Sequence, residues 1–292
     1  MKVIVFGKGG QLGRELVRVF TSRGHDITAF ERVEVDVTDP ALVEHVIASA
    51  HPDLALNATA YNMVDVAEKE PEAAFAGNAL AVRNIAVACR QADVRFVHFS
   101  TDYVFDGALG RPYVEEDNPH PLGAYAVSKL AGEYYAQAYL DKPLIIRTSG
   151  VFGPGGLHTA RGNFVEVMLR LANSGQPIRV VEDFVASPTY APELAERTAQ
   201  MVDKNLTGIF HVGGGSAISW FDYAKLIFEV AGLSPEVKPS SEREHRTAAR
   251  RPKFSALSNA KMEGCGIAPM PPMREVVKNY MARRRDEVAV PN

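Results

Sequence analysis

Two side chains four residues apart, Tyr125 and Lys129, are the residues of this chain best suited to acid–base chemistry. On a helix, positions i and i+4 lie on one face, so the phenol and the ammonium can converge on one reacting atom. A free phenol has a pKa of about 10, and a neighbouring cation is expected to lower the pKa of Tyr125 towards neutrality. The Thr101 hydroxyl, further upstream, can hold the substrate oxygen that exchanges the proton. The same spacing also fits an amphipathic surface helix, so its meaning depends on the surrounding elements.

Strand-like and helix-like segments alternate through the first half of the chain. Short apolar runs are typical of strands buried on both faces of a sheet. The predicted strands are Val3–Phe6, Asp26–Phe30, Asp53–Asn57, Arg95–Ser100 and Leu144–Thr148. The predicted helices include Pro40–Ala50, Glu72–Ala92 and Gly123–Leu140, the last of which carries Tyr125 and Lys129. Strands joined through helices, without hairpin turns, predict an α/β fold with a doubly wound parallel sheet.

A glycine-rich turn follows the first predicted strand immediately. Gly7, Gly10 and Gly13 fit the pattern GxxGxxG, whereas Leu12 excludes GxGxxG. Such a turn allows backbone N–H groups to approach a pyrophosphate at a helix N-terminus. A side chain at residue 10 would block that approach, and one at residue 13 would push the helix off the sheet. A glycine-rich turn without a ligand is the alternative, but the strand before it and the helix after it favour a dinucleotide site.

The residues after the second predicted strand give opposite indications about the cofactor. An acidic residue at this point, Glu31, accepts the adenosine ribose hydroxyls and favours NAD. Arg32 beside it, with Lys8 in the glycine turn, can instead hold the 2′-phosphate of NADP. We therefore expect NAD or NADP to be used, with dual use or a modest preference.

The pattern changes after Val151. A Gly-Pro loop is followed by predicted helices and short possible strands, and the remainder is rich in proline. The helices are Asn163–Asn173, Ala191–Asp203 and Trp220–Ala231, and the possible strands are Ile178–Val181 and Ile209–Val212. Residues 1–150 are thus expected to form the dinucleotide-binding domain and residues 151–292 mainly a substrate-binding cap. Segments at about 163–175 and 206–213 are expected to return to the first domain.

Composition excludes several other classes of protein. The chain has 292 residues, of which 46% are hydrophobic and 23% charged, as in an ordinary globular protein. A net charge of −3 without a basic stripe argues against nucleic acid or a membrane surface as the main partner. The two cysteines and the scattered histidines predict neither a disulfide framework nor a metal site. Without a signal peptide or an apolar span, the expected compartment is the cytoplasm.

Taken together, these motifs resemble those of the extended short-chain dehydrogenase/reductases. The resemblance is carried by the glycine turn, Asn57-Ala58-Thr59-Ala60, the block Ser-Thr-Asp-Tyr-Val-Phe that starts at Ser100, and the Tyr125/Lys129 pair. Within that superfamily, the chain resembles the dTDP-4-dehydrorhamnose reductase family over nearly its whole length. The segments that resemble this family are Gly7–Gly13, Ser100–Phe105, Arg147–Ser149, Gly162–Phe164, Ser187–Thr189 and Arg251–Leu257.

The resemblance implies a Rossmann-type domain and an NAD(P)H-dependent reductase. Its substrate would be a nucleotide-diphosphate sugar, dTDP-4-dehydrorhamnose, whose C4 ketone is reduced to give dTDP-L-rhamnose, a polysaccharide precursor. Tyr125 would donate the proton to O4, Lys129 would hold the nicotinamide ribose and tune Tyr125, and Thr101 would bond the sugar oxygen. The residues implied to face the cofactor are Gly7, Gly10, Gln11, Leu12, Gly13, Glu31, Asp36, Val37, Thr59, Ala60, Tyr61 and Lys129. Those implied to face the sugar are Val64, Thr101, Asp102, Tyr103 and Tyr125.

One position departs from the family pattern. The family has Trp after Arg-Thr-Ser, where it contacts the sugar, and this chain has Gly150. We expect position 150 to line the pocket, and the loss of the aromatic ring leaves the identity of the sugar open.

Several other residues have either a functional or an ordinary structural interpretation. Arg251 can grip a nucleotide diphosphate bidentately. Trp220 is interpreted as a packing residue of the cap, and His98 as a core histidine. Asp65, Glu68 and Glu70 are interpreted as a solvated helical face.

Two alternative functions remain open at this point. A sugar-nucleotide epimerase or dehydratase would use the same scaffold and keep its cofactor bound. A non-catalytic regulatory subunit, similar to the β subunit of methionine adenosyltransferase, would fit the departure at Gly150. The trio of Thr101, Tyr125 and Lys129 argues against the second. A monomer or a homodimer is expected.

Overall fold

A computed structural model of the chain describes residues 1–159, 162–244 and 247–289. Its main feature is a six-stranded sheet in which all neighbouring strands run parallel. The strands lie in the order β2-β1-β3-β4-β5-β8. They are β1 Lys2–Phe6, β2 Asp26–Phe30, β3 Leu54–Asn57, β4 Arg95–Thr101, β5 Leu144–Thr148 and β8 Gly208–His211. The predicted doubly wound parallel sheet is confirmed.

Helices cover both faces of this sheet. The helices of the chain are α1 Gln11–Ser22, α2 Pro40–Ala50, α3 Val64–Ala67, α4 Pro71–Phe75, α5 Ala81–Gln91, α6 Ala124–Tyr139, α7 Phe164–Ala172, α8 Ala191–Asp203, α9 Trp220–Ala231, α10 Ala260–Gly264 and α11 Met273–Ala289. One apolar core lies between the sheet and the helices α1 and α8. A second core lies between the opposite face and α2, α5 and α6. The order of the strands reverses between β1 and β3, and in such sheets ligands bind outside the carboxyl ends of the strands at this point.

A smaller apolar core forms within the second half of the chain. Helices α7, α9 and α11 pack there with the strand β6, which spans Ile178–Val181. Strand β6 pairs in parallel with β10 Val237–Ser240, and β7 Val185–Ala186 pairs antiparallel with β9 Ile218–Ser219. Of the two segments expected to return to the first domain, β8 joins the large sheet, whereas α7 buries its apolar face in this smaller core. The division into residues 1–150 and 151–292 stays a prediction. Within the second range, residues 160–161, 245–246 and 290–292 lie outside the described part of the chain.

The long helix predicted over residues 72–92 has a different internal structure. A π-helical turn, Ala76–Leu80, separates α4 from α5. Within it the Asn78 amide binds the backbone N–H and carbonyl of Tyr61, at 2.8 and 2.9 Å. The same amide donates to the Ser128 hydroxyl at 3.0 Å. The wider turn therefore connects the loop after β3 to the helix that carries Tyr125.

A buried ion pair fixes α6 against the sheet. Glu133 accepts two hydrogen bonds from the Arg147 guanidinium, at 3.0 and 2.8 Å, and one from Ser100 at 2.5 Å. Both charged side chains are at most 2% exposed. Because the three residues lie on α6, β5 and β4, the pair aligns the helix with the carboxyl ends of both strands.

Candidate active site

The glycine turn after β1 has the shape of a phosphate cradle. Gly7 has a φ of +91°, and a side chain at Gly13 would place its Cβ 2.0 Å from the Gly7 carbonyl oxygen. Gly10 is the N-cap residue of α1 and has no side chain to accept hydrogen bonds from the first N–H groups of the helix. A Cβ built on Gly10 would meet only the Gly7 carbonyl, at 3.4 Å, so the side of the turn facing away from the sheet is open. The first N–H groups of a helix lack intrahelical partners, and these groups fit a pyrophosphate.

The charges after β2 are paired with one another. Glu31 lies over the turn, with a carboxylate oxygen 3.0 Å from the position of a Cβ on Gly9. Lys8 forms an ion pair with Glu34 at 2.8 Å, and Arg32 one with Asp36 at 3.4 Å. Both cations that can attract a 2′-phosphate are thus partly neutralised by carboxylates.

Three other residues predicted to face the cofactor, Gln11, Leu12 and Val37, have side chains that contact other parts of the protein. The Gln11 amide oxygen accepts hydrogen bonds from the Gly153 N–H and the Asn163 amide, at 3.0 and 2.9 Å. Leu12 and Val37 are buried in the first and second cores, so their side chains have mainly apolar neighbours.

The segment after β3 is held by side-chain hydrogen bonds. Both the N–H and the hydroxyl of Thr59 donate to the Asn57 amide oxygen, at 3.1 and 2.6 Å. Ala60 is exposed. The Tyr61 hydroxyl donates to Glu70 at 2.9 Å. This segment follows β3, the neighbour of β1, and so lies at the reversal of strand order where a cofactor is expected.

Tyr125, Thr101 and Lys129 converge at the carboxyl end of β4. Thr101 is the last residue of β4, and Tyr125 lies in the first turn of α6. The Tyr125 ring packs edge to face against Tyr103, with centroids 6.0 Å apart, and the Tyr103 backbone N–H donates to the Thr101 hydroxyl at 3.2 Å. Lys129 is 2% exposed, and its Nζ donates to the carbonyl oxygen of Phe99 at 2.6 Å. The three side chains therefore lie at the same end of the sheet, and their roles in catalysis stay predictions.

The protonation of Tyr125 differs from the expectation. Burial raises the pKa of the Tyr125 phenol, and the Thr101 hydroxyl lowers it by less. The expected lowering towards neutrality is wrong for this structure, because loss of solvation disfavours a buried phenolate. Burial also lowers the pKa of Lys129 to about 8. Tyr125 is thus a protonated phenol at neutral pH, which suits a proton donor.

Asp102 is the most connected acceptor beside this site. Its carboxylate is 2% exposed and accepts hydrogen bonds from Thr101, Ser149 and Ser255, at 3.1, 2.8 and 2.5 Å. Burial raises the pKa of Asp102 to about 6, and the three hydroxyl groups oppose that rise. Spacing could not indicate Ser149 and Ser255, because they are distant from Asp102 along the chain.

Tyr103 and Arg251 form a second group near Tyr125. The rings of Tyr103 and Tyr125 meet edge to face, with centroids 6.0 Å apart. The Arg251 charge opposes the burial that raises the pKa of Tyr103, and the same guanidinium pairs with Asp65 at 2.7 Å. The guanidinium expected to grip a diphosphate thus already has a carboxylate partner on α3, the helix that begins at Val64.

The acidic segment on and after α3 is more than a solvated face. In addition to the Asp65–Arg251 pair, the Glu68 carboxylate accepts the Ala124 N–H at 2.8 Å, at the start of α6. Glu70 accepts the Tyr61 hydroxyl. Glu68 and Glu70 are exposed, as the interpretation of a solvated face requires, but Asp65 and Glu68 also bind residues distant in the sequence, which the local pattern could not indicate.

Gly150 follows β5, is exposed and has a φ of +50°. Its nearest neighbours are Trp220 and Pro188. His98 is fully buried in β4 and bonds the Asn57 amide at 3.2 Å, as predicted for a core histidine.

Metal-binding clusters and membrane-spanning helices are absent from the described ranges 1–159, 162–244 and 247–289. Within them, no group of three or more His, Cys, Asp or Glu residues is placed to hold a metal ion. No helix in the same ranges has the length and apolar character needed to cross a bilayer.

The fold and the site together define an extended short-chain dehydrogenase/reductase: a doubly wound sheet, an open glycine turn and a Thr/Tyr/Lys trio at the strand ends. Residues 1–285 match the model of the RmlD substrate binding domain family. The chain belongs to this family.

Individual relatives match over almost their whole length. The dTDP-4-dehydrorhamnose reductase of Mycobacterium tuberculosis H37Rv is 35% identical over 295 residues, covering 99% of this chain and 95% of the relative. The spore coat polysaccharide biosynthesis protein SpsK of Bacillus subtilis is 36% identical, covering 97% and 98%. Among solved structures, dTDP-4-dehydrorhamnose reductase from Bacillus anthracis in complex with NADP has a TM-score of 0.92 and 35% identity, covering 97% and 99%.

Proposed function

We propose that this chain reduces the C4 ketone of dTDP-4-dehydrorhamnose with NADPH or NADH, giving dTDP-L-rhamnose. The observation that carries the proposal is the position of Tyr125 in the first turn of α6 and of Thr101 at the end of β4, with the buried Lys129 of the same helix bonded to the Phe99 carbonyl of that strand. The family and the names of the relatives support the choice of substrate.

The cofactor-binding residues fit a pyridine nucleotide. The glycine turn would hold the pyrophosphate, Glu31 the adenosine ribose and Lys129 the nicotinamide ribose. When bound, the cofactor supplies the hydride.

The side chains of the protein would donate the proton and position the sugar oxygen. Tyr125, whose raised pKa keeps it protonated, donates its proton to the sugar O4 as that oxygen gains charge. Thr101 would donate to the same oxygen when the sugar is bound, in place of its present hydrogen bond to Asp102. Residues 1–150 would bind the dinucleotide and residues 151–292 mainly the sugar nucleotide.

Other properties stay predictions. They are the cytoplasmic location, the state of monomer or homodimer, and the use of both cofactors. A kcat/KM ratio between NADPH and NADH above about a hundredfold, roughly 2.7 kcal/mol of discrimination, would contradict dual use.

Replacing Tyr125 by Phe tests the proposal directly. General acid catalysis contributes roughly 10²–10⁴-fold, so NADPH oxidation with dTDP-4-dehydrorhamnose should fall by that factor. Tyr134→Phe is the matched control, since Tyr134 lies on the same helix and is 59% exposed. Activity of Tyr125→Phe within about threefold of the parent would exclude Tyr125 as the acid. The absence of any oxidation of either NADPH or NADH by the parent would exclude the reductase itself.

A further inference from the structure

Trp220, the only tryptophan of the chain, lies at the N-terminus of α9 beside the candidate site. The backbone N–H of Trp220 donates to the Phe184 carbonyl at 3.1 Å, which fixes the start of the helix. Its ring packs against Phe164, with centroids 4.7 Å apart, and Tyr223, at 6.1 Å. The side chain is nevertheless only half-buried, so part of a large aromatic surface is left open.

The edge of the indole occupies the direction that a side chain at residue 150 would take. A Cβ built on Gly150 would lie 3.3 Å from Cη2 of Trp220 and 3.4 Å from Cα of Pro188. Gly150 itself is exposed. The glycine therefore gives the ring of Trp220 room to lie over the backbone at the end of β5.

Hydrogen bonds connect the residue next to Gly150 with Thr101 of the candidate site. Ser149, the residue before Gly150, donates to Asp102 at 2.8 Å, and Asp102 accepts from Thr101 at 3.1 Å. The Thr101 hydroxyl also accepts from the backbone N–H of Tyr103, whose ring meets that of Tyr125 edge to face with centroids 6.0 Å apart. The indole belongs to α9, which packs in the smaller core of the second half of the chain. Trp220 thus lies where the second half of the chain meets the carboxyl edge of the sheet.

We propose that Trp220 forms the aromatic wall of the sugar pocket and determines affinity for the sugar of the nucleotide substrate. The inference rests on the proposed function and assigns a specificity residue to it. A 6-deoxyhexose presents C–H groups and a methyl group that pack on an aromatic face, and the indole N–H can donate to a sugar hydroxyl. The aromatic surface expected from residue 150 is supplied by residue 220 instead.

Intrinsic fluorescence tests the contact, because all tryptophan emission comes from this one residue. The parent protein is titrated with dTDP-L-rhamnose and, separately, with dTDP, and calorimetry measures the binding of both. The sugar nucleotide should change the emission, whereas dTDP alone should change it much less. Calorimetric binding of dTDP-L-rhamnose without a change in emission beyond that caused by dTDP would overturn the inference and leave the proposed function intact. Absence of binding by both ligands, with no oxidation of either NADPH or NADH, would overturn the proposed function and this inference with it.

Variants at residue 220 separate a pocket role from a structural one. Trp220→Ala should raise the KM for the sugar nucleotide by about three- to tenfold, with a smaller rise for Trp220→Phe. The KM for NADPH and the kcat should stay within about twofold of the parent. Phe221→Ala is the matched control, because Phe221 is the next residue of the same helix and packs against the same core.

A folded Trp220→Ala protein with an unchanged sugar KM would contradict the proposal, as would equal effects of Trp220→Ala and Phe221→Ala. If Trp220→Ala fails to fold, the sugar KM of Trp220→Phe and the fluorescence titration of the parent protein test the proposal. An unchanged KM together with an unchanged emission would contradict it.

Discussion

At the scale of single residues, the buried carboxylate of Asp102 has a measurable effect on pH dependence. Its pKa is raised to about 6 by burial, above the ordinary value of 3.8 that applies in the unfolded chain. Between these values the folded protein binds more protons at Asp102 than the unfolded protein does. The contribution of Asp102 to the free energy of unfolding therefore falls as pH rises through this window, by up to about 3 kcal/mol.

Asp102→Asn should remove this titration. The difference in free energy of unfolding, variant minus parent, is expected to increase between about pH 4 and about pH 7, whatever the fixed cost of altering the hydrogen bonds. Urea unfolding at several pH values measures it. Asp141→Asn, at an exposed position, is the control and should give a smaller change in the difference. A difference for Asp102→Asn that is constant with pH would show that the carboxylate is ionised equally in both states.

Cofactor preference is also set by single residues. Glu34 pairs with Lys8 at 2.8 Å and accepts the Glu31 N–H at 2.7 Å. Glu34→Gln frees the Lys8 ammonium to attract a 2′-phosphate, so the kcat/KM ratio of NADPH to NADH should rise by about two- to fivefold, as expected for an exposed ion pair. Glu236→Gln removes the exposed partner of Lys238 in β10 and should leave the ratio unchanged. Equal ratios in parent and Glu34→Gln would mean that Lys8 does not reach the cofactor.

Residue types and spacing identified only part of the site. Thr101, Tyr125 and Lys129 were predictable because a helix brings residues four apart to one face and Thr101 ends a strand. Ser149, Ser255, Asp65 and Trp220 were not, since each reaches the site through a tertiary contact with a distant segment.

At the scale of elements, the π-helical turn Ala76–Leu80 determines how α6 packs. The sequence predicted an uninterrupted helix there, because alanine-rich segments give no local signal for a wider turn. Gly132 of α6 lies against it, and a Cβ on Gly132 would be 2.3 Å from the Asn78 carbonyl oxygen. The close approach of the two helices therefore depends on the absence of a side chain at this position.

Gly132→Ala should destabilise the protein by about 1–3 kcal/mol through overpacking, although alanine favours helices. It should also lower kcat, since the displaced helix carries Tyr125 and Lys129. Gly264→Ala is the matched control, because Gly264 lies in helix α10 with no atom within 4 Å of its built Cβ. That variant should be neutral or more stable by about 0.5–1 kcal/mol. Thermal and urea unfolding measure the stability of both variants. Equal stabilities of Gly132→Ala and Gly264→Ala would contradict the packing argument.

At the scale of the whole molecule, α11 joins the two halves of the chain. Its apolar face packs in the smaller core, and Tyr280 and Arg284 bind Glu166 of α7 at 2.6 and 2.7 Å. On the same helix, Arg283 binds Glu15 of α1 at 2.9 Å. Glu15 has only 4% of its side chain exposed, and its other cation is Arg18. One arginine thus connects the smaller core to the helix that follows the glycine turn.

Arg283→Ala leaves the buried Glu15 carboxylate with fewer donors, so the free energy of unfolding should fall by about 1–3 kcal/mol. Trp220 fluorescence reports on the second half, and far-ultraviolet circular dichroism reports on all helices and strands. If α11 couples the halves into one cooperative unit, both signals should shift to lower urea concentration together. Arg285→Ala, two residues along the same helix at an exposed position, should leave both midpoints nearly unchanged. Separation of the two midpoints in Arg283→Ala would show that each half unfolds independently once this ion pair is lost.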